Sequence, residues 1–328
     1  MTKVLMLSIW VLGLMPASAC SQRARREAEE QGGLAAGNHE FTLRHDGRRR
    51  SYRVHVPDSV RTPAPVMLAF HGGGGNARGF QGYAELDRVS DREGFVVVYP
   101  NGTGPIAGRL LTWNAGDGCC GYARQNDVDD VGFAVAVVDD LASRIGVDRA
   151  RIYATGHSNG GILSHRIASE QPGFVAAIAP VAGALDLARF SPTAAVPVLQ
   201  VHSVDDPRAL YAGGTGPPFP GTNSRVLHQP VQVGLDRWIA ANGCGARADT
   251  VEVRRGTLAT GGTDQRAILL AWRGCRDGVE VQHWKLSGSG HGWPGDVPPP
   301  GGERIVGPQT SLLRAAEAVW RFASRFHR

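Results

Sequence analysis

An α/β fold is what this 328-residue sequence predicts: a mostly parallel central sheet with helices on both faces and an antiparallel N-terminal edge. Three observations carry that expectation. Short, almost fully apolar runs recur along the chain, as strands buried on both faces require. Segments of helical periodicity alternate with them, as crossovers between parallel strands demand. Ahead of both patterns, two alternating segments flank His45-Asp46-Gly47, a hairpin signal.

In chain order, Phe41–Arg44 and Ser51–Val56 form that hairpin. Pro65–Phe70 is the first buried strand and stops at His71 and four glycines; Phe95–Tyr99 repeats the style and stops at Pro100-Asn101-Gly102. A helix is expected over Val131–Ile145, a strand over Arg151–Thr155 running into Gly156, and the following helix over Gly161–Glu170. Val175–Val181 and Val196–His202 are further buried strands, and Val231–Asn242 is a helix. Strands near Ala267–Trp272 and Val279–Leu286 precede a closing helix over Thr310–Phe326. The Pro/Gly-rich stretch Gly213–Gly221 reads as a surface loop. No internal repeat or linker interrupts the series, so residues 40–328 are expected to form one domain.

With 42% hydrophobic and 20% charged residues, the chain is neither disordered nor fibrous. Its net charge of +5 is 35 Lys+Arg against 30 Asp+Glu. Only Lys3 and Lys285 are lysines, and the densest basic run, Arg48–Arg49–Arg50, has no recognition helix or stacking platform around it. A nucleic-acid partner is therefore not expected. At the N-terminus Lys3, the apolar run Val4–Met15 and Ala17-Ser18-Ala19 make a signal peptide over residues 1–19, followed by a flexible lead-in over 20–39. That run is too short to span a bilayer, so no transmembrane segment is expected. Cleavage after Ala19 leaves Cys20 first in the chain. Secretion or periplasmic release is the expectation, and a lipid anchor at Cys20 is the alternative. In an oxidising compartment the other four cysteines read as disulfides. Cys244 and Cys275 would close a loop of about 30 residues, stabilising the fold by roughly 3–4 kcal/mol. Cys119 and Cys120 are adjacent and would pair with each other or with other cysteines. No CxxC spacing supports zinc, and no metal is expected.

The chemistry is concentrated in Gly156-His157-Ser158-Asn159-Gly160. A strand leads into this GxSxG sequence and a helix leads out, the context of a sharp turn that presents a nucleophilic serine. The flanking glycines relieve crowding where helix and strand approach. A serine hydroxyl needs a base at neutral pH, and the base needs an orienting carboxylate. Val196–His202 ends in Ser203-Val204-Asp205-Asp206-Pro207, and Ser287-Gly288-Ser289-Gly290-His291-Gly292-Trp293-Pro294 follows Val279–Leu286. The chain order Ser, Asp, His is that of α/β-hydrolases; spacing alone leaves Asp205 and Asp206 both open. Acyl transfer also needs two N–H donors for the carbonyl oxygen. Asn159 can supply one and a glycine of His71-Gly72-Gly73-Gly74-Gly75 the other. No Lys-Ser/Thr follows the glycines, so a phosphate loop is excluded. His157 and His202 read as packing or supporting residues.

The sequence resembles the extracellular esterase/polyhydroxybutyrate depolymerase family of α/β-hydrolases, including feruloyl- and acetylxylan-esterase-like members, over roughly Phe41 to Phe326. The likeness rests on HGGGGNA from His71; Thr112-Trp113-Asn114-Ala115-Gly116 followed by Cys119-Cys120-Gly121; Val128-Asp129-Asp130-Val131-Gly132-Phe133; GHSNGG from Gly156; and GHGWPG from Gly290. It implies Ser158 as nucleophile, His291 as base and Gly73 as an oxyanion donor. The family's His-Gly-x-x-Asp-Pro matches His202 to Pro207 and so implies Asp206 as the acid. Ser203 stands where the family commonly has Gly, and Arg208-Ala209-Leu210-Tyr211 where a Val-Val-Pro-Tyr-like stretch is usual, departures at the pocket rim. Trp113 and Trp293 are expected as pocket walls or as core.

The expected activity is that of a secreted serine carboxylic-ester hydrolase acting on short-chain, feruloyl- or acetyl-type esters, with no metal or organic cofactor. Depolymerases of this family often append a substrate-binding module, and a closing helix so near the last residue favours soluble or oligomeric esters. Cleavage of polyhydroxyalkanoates such as polyhydroxybutyrate is the near alternative, and a catalytically inactive hydrolase fold that only binds is the alternative from another class. The partner is a small-molecule or polymeric ester; nothing in the sequence sets an oligomeric state.

Overall fold

The computed structural model describes residues 33–116, 119, 121–219, 223, 225–257, 264–299 and 301–328. The expected leader 1–19, Cys20, most of the 20–39 lead-in and Cys120 lie outside the described residues.

β1 (Gly37–His45) and β2 (Arg48–Val56) pair antiparallel across Asp46 and Gly47, whose φ values of 48° and 68° fit a tight two-residue hairpin turn. Then come β3 (Ala64–Phe70), β4 (Val96–Pro100), β5 (Val147–His157), β6 (Ala177–Val181) and β7 (Val198–Ser203). β8 (Gly214–Thr215) and β9 (Leu227–His228) make a small separate ribbon, and β10 (Asp249–Thr257), β11 (Asp264–Trp272) and β12 (Val281–Ser287) complete the strands. Ten strands form one sheet in the order β1-β2-β4-β3-β5-β6-β7-β12-β11-β10. The six from β4 to β12 run parallel, and β3, β4, β6 and β7 are buried along their whole length, which is why they read as unbroken apolar runs. The antiparallel N-terminal edge is present. A second antiparallel edge, β12-β11-β10, goes beyond the expectation: only residues 273–280 join β11 to β12, too few for a crossover.

The helices are α1 (Ala77–Ala84), α2 (Leu86–Glu93), α3 (Gly121–Gln125), α4 (Asp130–Ala142), α5 (Asn159–Glu170), α6 (Val231–Asn242), α7 (Glu303–Val306) and α8 (Ala315–Ala323). One face of the sheet is covered by α4, α5 and α6, where Phe133, Val137 and Leu141 repeat every fourth residue into the core. α1, α2 and α8 cover the other face, where the Trp320 ring stacks on Phe95 at 3.8 Å. α1 and α2 are absent from the sequence expectation because each is only 8 residues long and Gly79 and Gly82 interrupt the first. Asn76 starts α1 all the same, its Oδ1 accepting from Gly79 N at 2.9 Å. The closing helix starts later than the expected Thr310: Thr310 O accepts from Gly295 N and Leu312 O from Arg254 Nη1, and helical bonding begins at Ala315. Cys244, just past α6, is disulfide-bonded to Cys275 between β11 and β12, and Cys119 is disulfide-bonded as well.

Candidate active site

β3 sits between β4 and β5, so the chain leaves it to one side and later returns on the other. Such a switch opens a crevice at the carboxyl ends of the parallel strands. His71 follows β3 there, Ser158 follows β5, Asp206 follows β7 and His291 follows β12.

Ser158 occupies the turn from β5 into α5 with φ 55° and ψ −119°, a conformation that costs a non-glycine residue of the order of 1–3 kcal/mol. Backbone packing imposes it. A Cβ on Gly156 would lie 2.5 Å from the Gly160 carbonyl, and one on Gly160 would lie 2.3 Å from Phe70 O and 2.6 Å from His71 O. Ser158 N donates to Val181 O at 2.8 Å, tying the turn to β6.

The structure brings Ser158, His291 and Asp206 into one line. Ser158 Oγ lies 2.8 Å from His291 Nε2, and His291 Nδ1 lies 2.7 Å from Asp206 Oδ2. Asp206 Oδ1 accepts from Arg208 N and Ala209 N, each at 2.8 Å, so both carboxylate oxygens are engaged. Burial works against the Asp206 charge, but His291 and His202 beside it more than offset this and hold the carboxyl well below the usual range. Nδ1–H of His291 therefore points to a carboxylate and Nε2 is left as an acceptor facing Ser158 Oγ. Asp205 is elsewhere: it is exposed, and its Oδ2 accepts from Gly288 N at 2.7 Å. His202, 3.4 Å from Asp206 Oδ2, is fully buried and anchored on Ala209 O.

The His291 loop is held firmly, where its glycines suggested looseness. His291 N donates to Val306 O at 2.5 Å, and Gly290 N to Pro308 O at 2.7 Å. Its carbonyl accepts from His157 Nε2 at 2.6 Å. A Cβ on Gly290 would sit 1.9 Å from Val306 O, so the glycine serves close approach. Burial, reinforced by neighbouring His291, lowers the His157 pKa to about 3 and keeps it a neutral donor to that carbonyl. The 306–309 segment carries no sequence motif that announces this clamp.

Opposite Ser158, Gly74 N donates to Leu111 O and Gly75 N to Gly72 O, while Gly73 N–H has no acceptor among the described residues. Asn159 opens α5, where helix geometry leaves the N–H without an intrahelical partner. Its side chain is locked: Oδ1 accepts from Trp113 N at 2.7 Å and Nδ2 donates to Trp113 O at 3.1 Å. His71 supports the same corner, with Nε2 accepting from Gly102 N at 3.0 Å and Nδ1 donating to Gly72 O at 2.7 Å. Burial holds this ring neutral, with a pKa lowered to about 4.

Ser158, Asn159, Gly73 and His291 all face one cavity of about 530 Å³. Trp113 and Trp293 do not line it, which corrects the expectation of pocket walls. Trp113 is fully buried behind the glycine loop, its Nε1 donating to His71 O at 2.8 Å and its ring edge-on to Phe70. Trp293 is buried against Phe80, with its N donating to Tyr83 Oη at 2.7 Å. Both indoles brace the walls from the core side. The apolar lining comes instead from Phe80, Leu110, Phe219, Val226 and Ile305. The expected surface loop 213–221 thus forms one wall of the cavity through Pro217 and Phe219.

Fold and crevice define the class as an α/β-hydrolase. The sequence profile described as "Esterase PHB depolymerase" matches residues 50–253. NocK of Nocardia uniformis subsp. tsuyamanensis, a protein carrying an esterase name, is 30% identical over 77% of this chain and 73% of its own length. The bifunctional acetylxylan esterase/xylanase XynS20E of Neocallimastix patriciarum is 27% identical over 76% of this chain, which spans only 32% of that protein. Among solved structures, the acetyl xylan esterase from Aspergillus awamori superposes with a TM-score of 0.52 over 77% of this chain and 94% of its own, at 15% identity. The chain belongs to the esterase PHB depolymerase family and is a carboxylic ester hydrolase.

Proposed function

We propose that this ester hydrolase works by a serine mechanism in one domain, residues 40–328, on short-chain, feruloyl- or acetyl-type esters. The observation that carries the reading is the unbroken line from Ser158 Oγ through His291 to the buried Asp206, open to a cavity that two unengaged N–H groups face. His291 Nε2 takes the hydroxyl proton as Ser158 Oγ attacks the ester carbonyl. The oxygen gathers charge and rests on the N–H groups of Gly73 and Asn159, each such donor contributing about 3 kcal/mol to the transition state. His291 then gives its proton to the departing alcohol, and water enters by the reverse route to release the acid. Asp206 holds the imidazole in the required tautomer and stabilises its charged form. Hydroxyalkanoate oligomers are a second reading, favoured by the description of the matching family. Export to an oxidising compartment is supported by the Cys244–Cys275 bond, and no helix among the described residues is long and apolar enough to cross a membrane.

Replacing Ser158 by alanine is expected to abolish both p-nitrophenyl acetate hydrolysis and fluorophosphonate labelling. Turnover retained by Ser158→Ala would remove the serine mechanism, and a wild-type protein inert to every ester would favour a fold that only binds.

A further inference from the structure

Among the described residues that line the cavity, Arg208 is the only Arg or Lys, and none is Asp or Glu. Asp206 lies behind the wall with both oxygens engaged by His291 and by the 208–209 backbone. Burial keeps three of the histidines that line the cavity neutral at pH 7, lowering the pKa of His71 to about 4, of His157 to about 3 and of His228 to about 4. Arg208 is half-buried, and no carboxylate among the described residues lies within ion-pair distance of its guanidinium. Its position is fixed at both ends. Arg208 N donates to the same carboxylate that orients His291, and Nη2 donates to Pro218 O at 3.0 Å. Nε and Nη1 have no partner among the described residues, and the walls beside it, Pro217, Phe219 and Val226, are apolar.

A half-desolvated guanidinium with two idle nitrogens is costly to leave unpaired and well shaped to receive a carboxylate. We propose that Arg208 makes this cavity select esters that carry a free carboxylate, on the acyl or the alcohol side, over their uncharged analogues. The inference rests on the serine-esterase reading above and deepens it to a substrate class. A purely structural task for Arg208, tethering the loop through Pro218 O, would affect charged and uncharged substrates alike.

Two matched pairs test this with the full-length protein: monomethyl against dimethyl glutarate, charged on the acyl side, and 3-acetoxybutyrate against its methyl ester, charged on the alcohol side. The quantity read is the ratio of kcat/KM for the charged to the uncharged member. In Arg208→Gln that ratio is expected to fall roughly tenfold for one pair, the scale of a lost charge-assisted hydrogen bond; the pair that responds tells which side carries the carboxylate. Arg208→Lys, which keeps the charge without the fork, should lie between. Unchanged ratios in both pairs overturn the proposal, including the case in which all rates fall together. A wild type that hydrolyses no ester counts against the serine mechanism instead. The anion site is then read alone: 3-hydroxybutyrate should raise the Tm of the wild type more than that of Arg208→Gln, and equal shifts overturn it.

Discussion

The two sides of the cavity are built on different principles. The floor, residues 71–76 and 156–162, is locked by backbone atoms in mutual contact, with glycines where a methyl group could not fit. The facing wall comes from the β8–β9 ribbon, its loop, the four-residue helix α7 and Leu110 of the loop after β4, and it presents side chains as exposed as Leu110 at 54% and Ile305 at 39%. On the floor the positions of atoms are dictated by contacts that cannot relax. On the wall they are set by side chains that can be exchanged. Chemistry that tolerates errors well below 1 Å belongs on the first kind of surface, and selectivity among substrates on the second.

The contrast breaks most visibly at Gly160. An added methyl would lie 2.3 Å from Phe70 O and 2.6 Å from His71 O, both backbone atoms of the floor. Gly160→Ala is therefore expected to cost about 3 kcal/mol or more, and kcat about a hundredfold even where the protein folds. Gly82, within α1, has nothing within 4 Å of an added methyl, so Gly82→Ala should stabilise by about 0.5–1 kcal/mol. Urea unfolding of the two variants decides the matter; equal stabilities would mean the floor is not held by close approach.

Acid should loosen the floor before it discharges Asp206. His71 and His157 are buried there, and His165 of α5 and His283 of β12 are buried as well, with pKa values lowered by burial to about 4, 3, 4 and 3. In the unfolded chain a histidine takes up its proton near pH 6.5, while the folded protein resists until pH 4 or 3. The unfolded state thus binds more protons between those limits, and stability falls as pH drops below about 6.5, by about 1.4 kcal/mol per pH unit for each histidine. Asp206, whose pKa is lowered by folding, adds its loss only below about pH 3.9. The urea midpoint should decline from pH 7 to pH 5; a flat profile would show these rings already charged or exposed.

Much of the floor was legible in the sequence because its constraints are local. A buried strand such as β3 reads as an apolar run, and the glycines around Ser158 mark a close approach that only the chain's own backbone could cause. Sequence order suggested Ser158, His291 and an acid at Asp205 or Asp206, since each follows a parallel strand, and the family resemblance alone implied Asp206. What stayed hidden depends on contacts between distant segments. Val306 O and Pro308 O clamp the His291 loop through backbone hydrogen bonds, which no side-chain pattern encodes. Trp113 looks the same in sequence whether it faces the cavity or the core; the turn of the 112–116 segment, pinned by Asn159 and by Asn114 N on Asp130 Oδ2 at 2.7 Å, decides for the core. The wall was the least legible part, because short ribbons and four-residue helices have too little periodicity to announce themselves.

The smallest expected effect lies on that wall. Ile305 lines the cavity from the short helix α7 and, at 39% exposed, lies at the surface rather than in either core cluster. Ile305→Ala should therefore move stability by no more than about 0.5 kcal/mol. A long acyl chain in the cavity would lose the methylenes it packs against, and KM for p-nitrophenyl octanoate should rise roughly tenfold, at the low end for apolar pocket contacts, with p-nitrophenyl acetate too short to reach them. A parallel rise for both esters would place Ile305 among the residues that shape the floor, and a fall in stability of several kcal/mol would make the wall as rigid as the floor, erasing the distinction between the two surfaces.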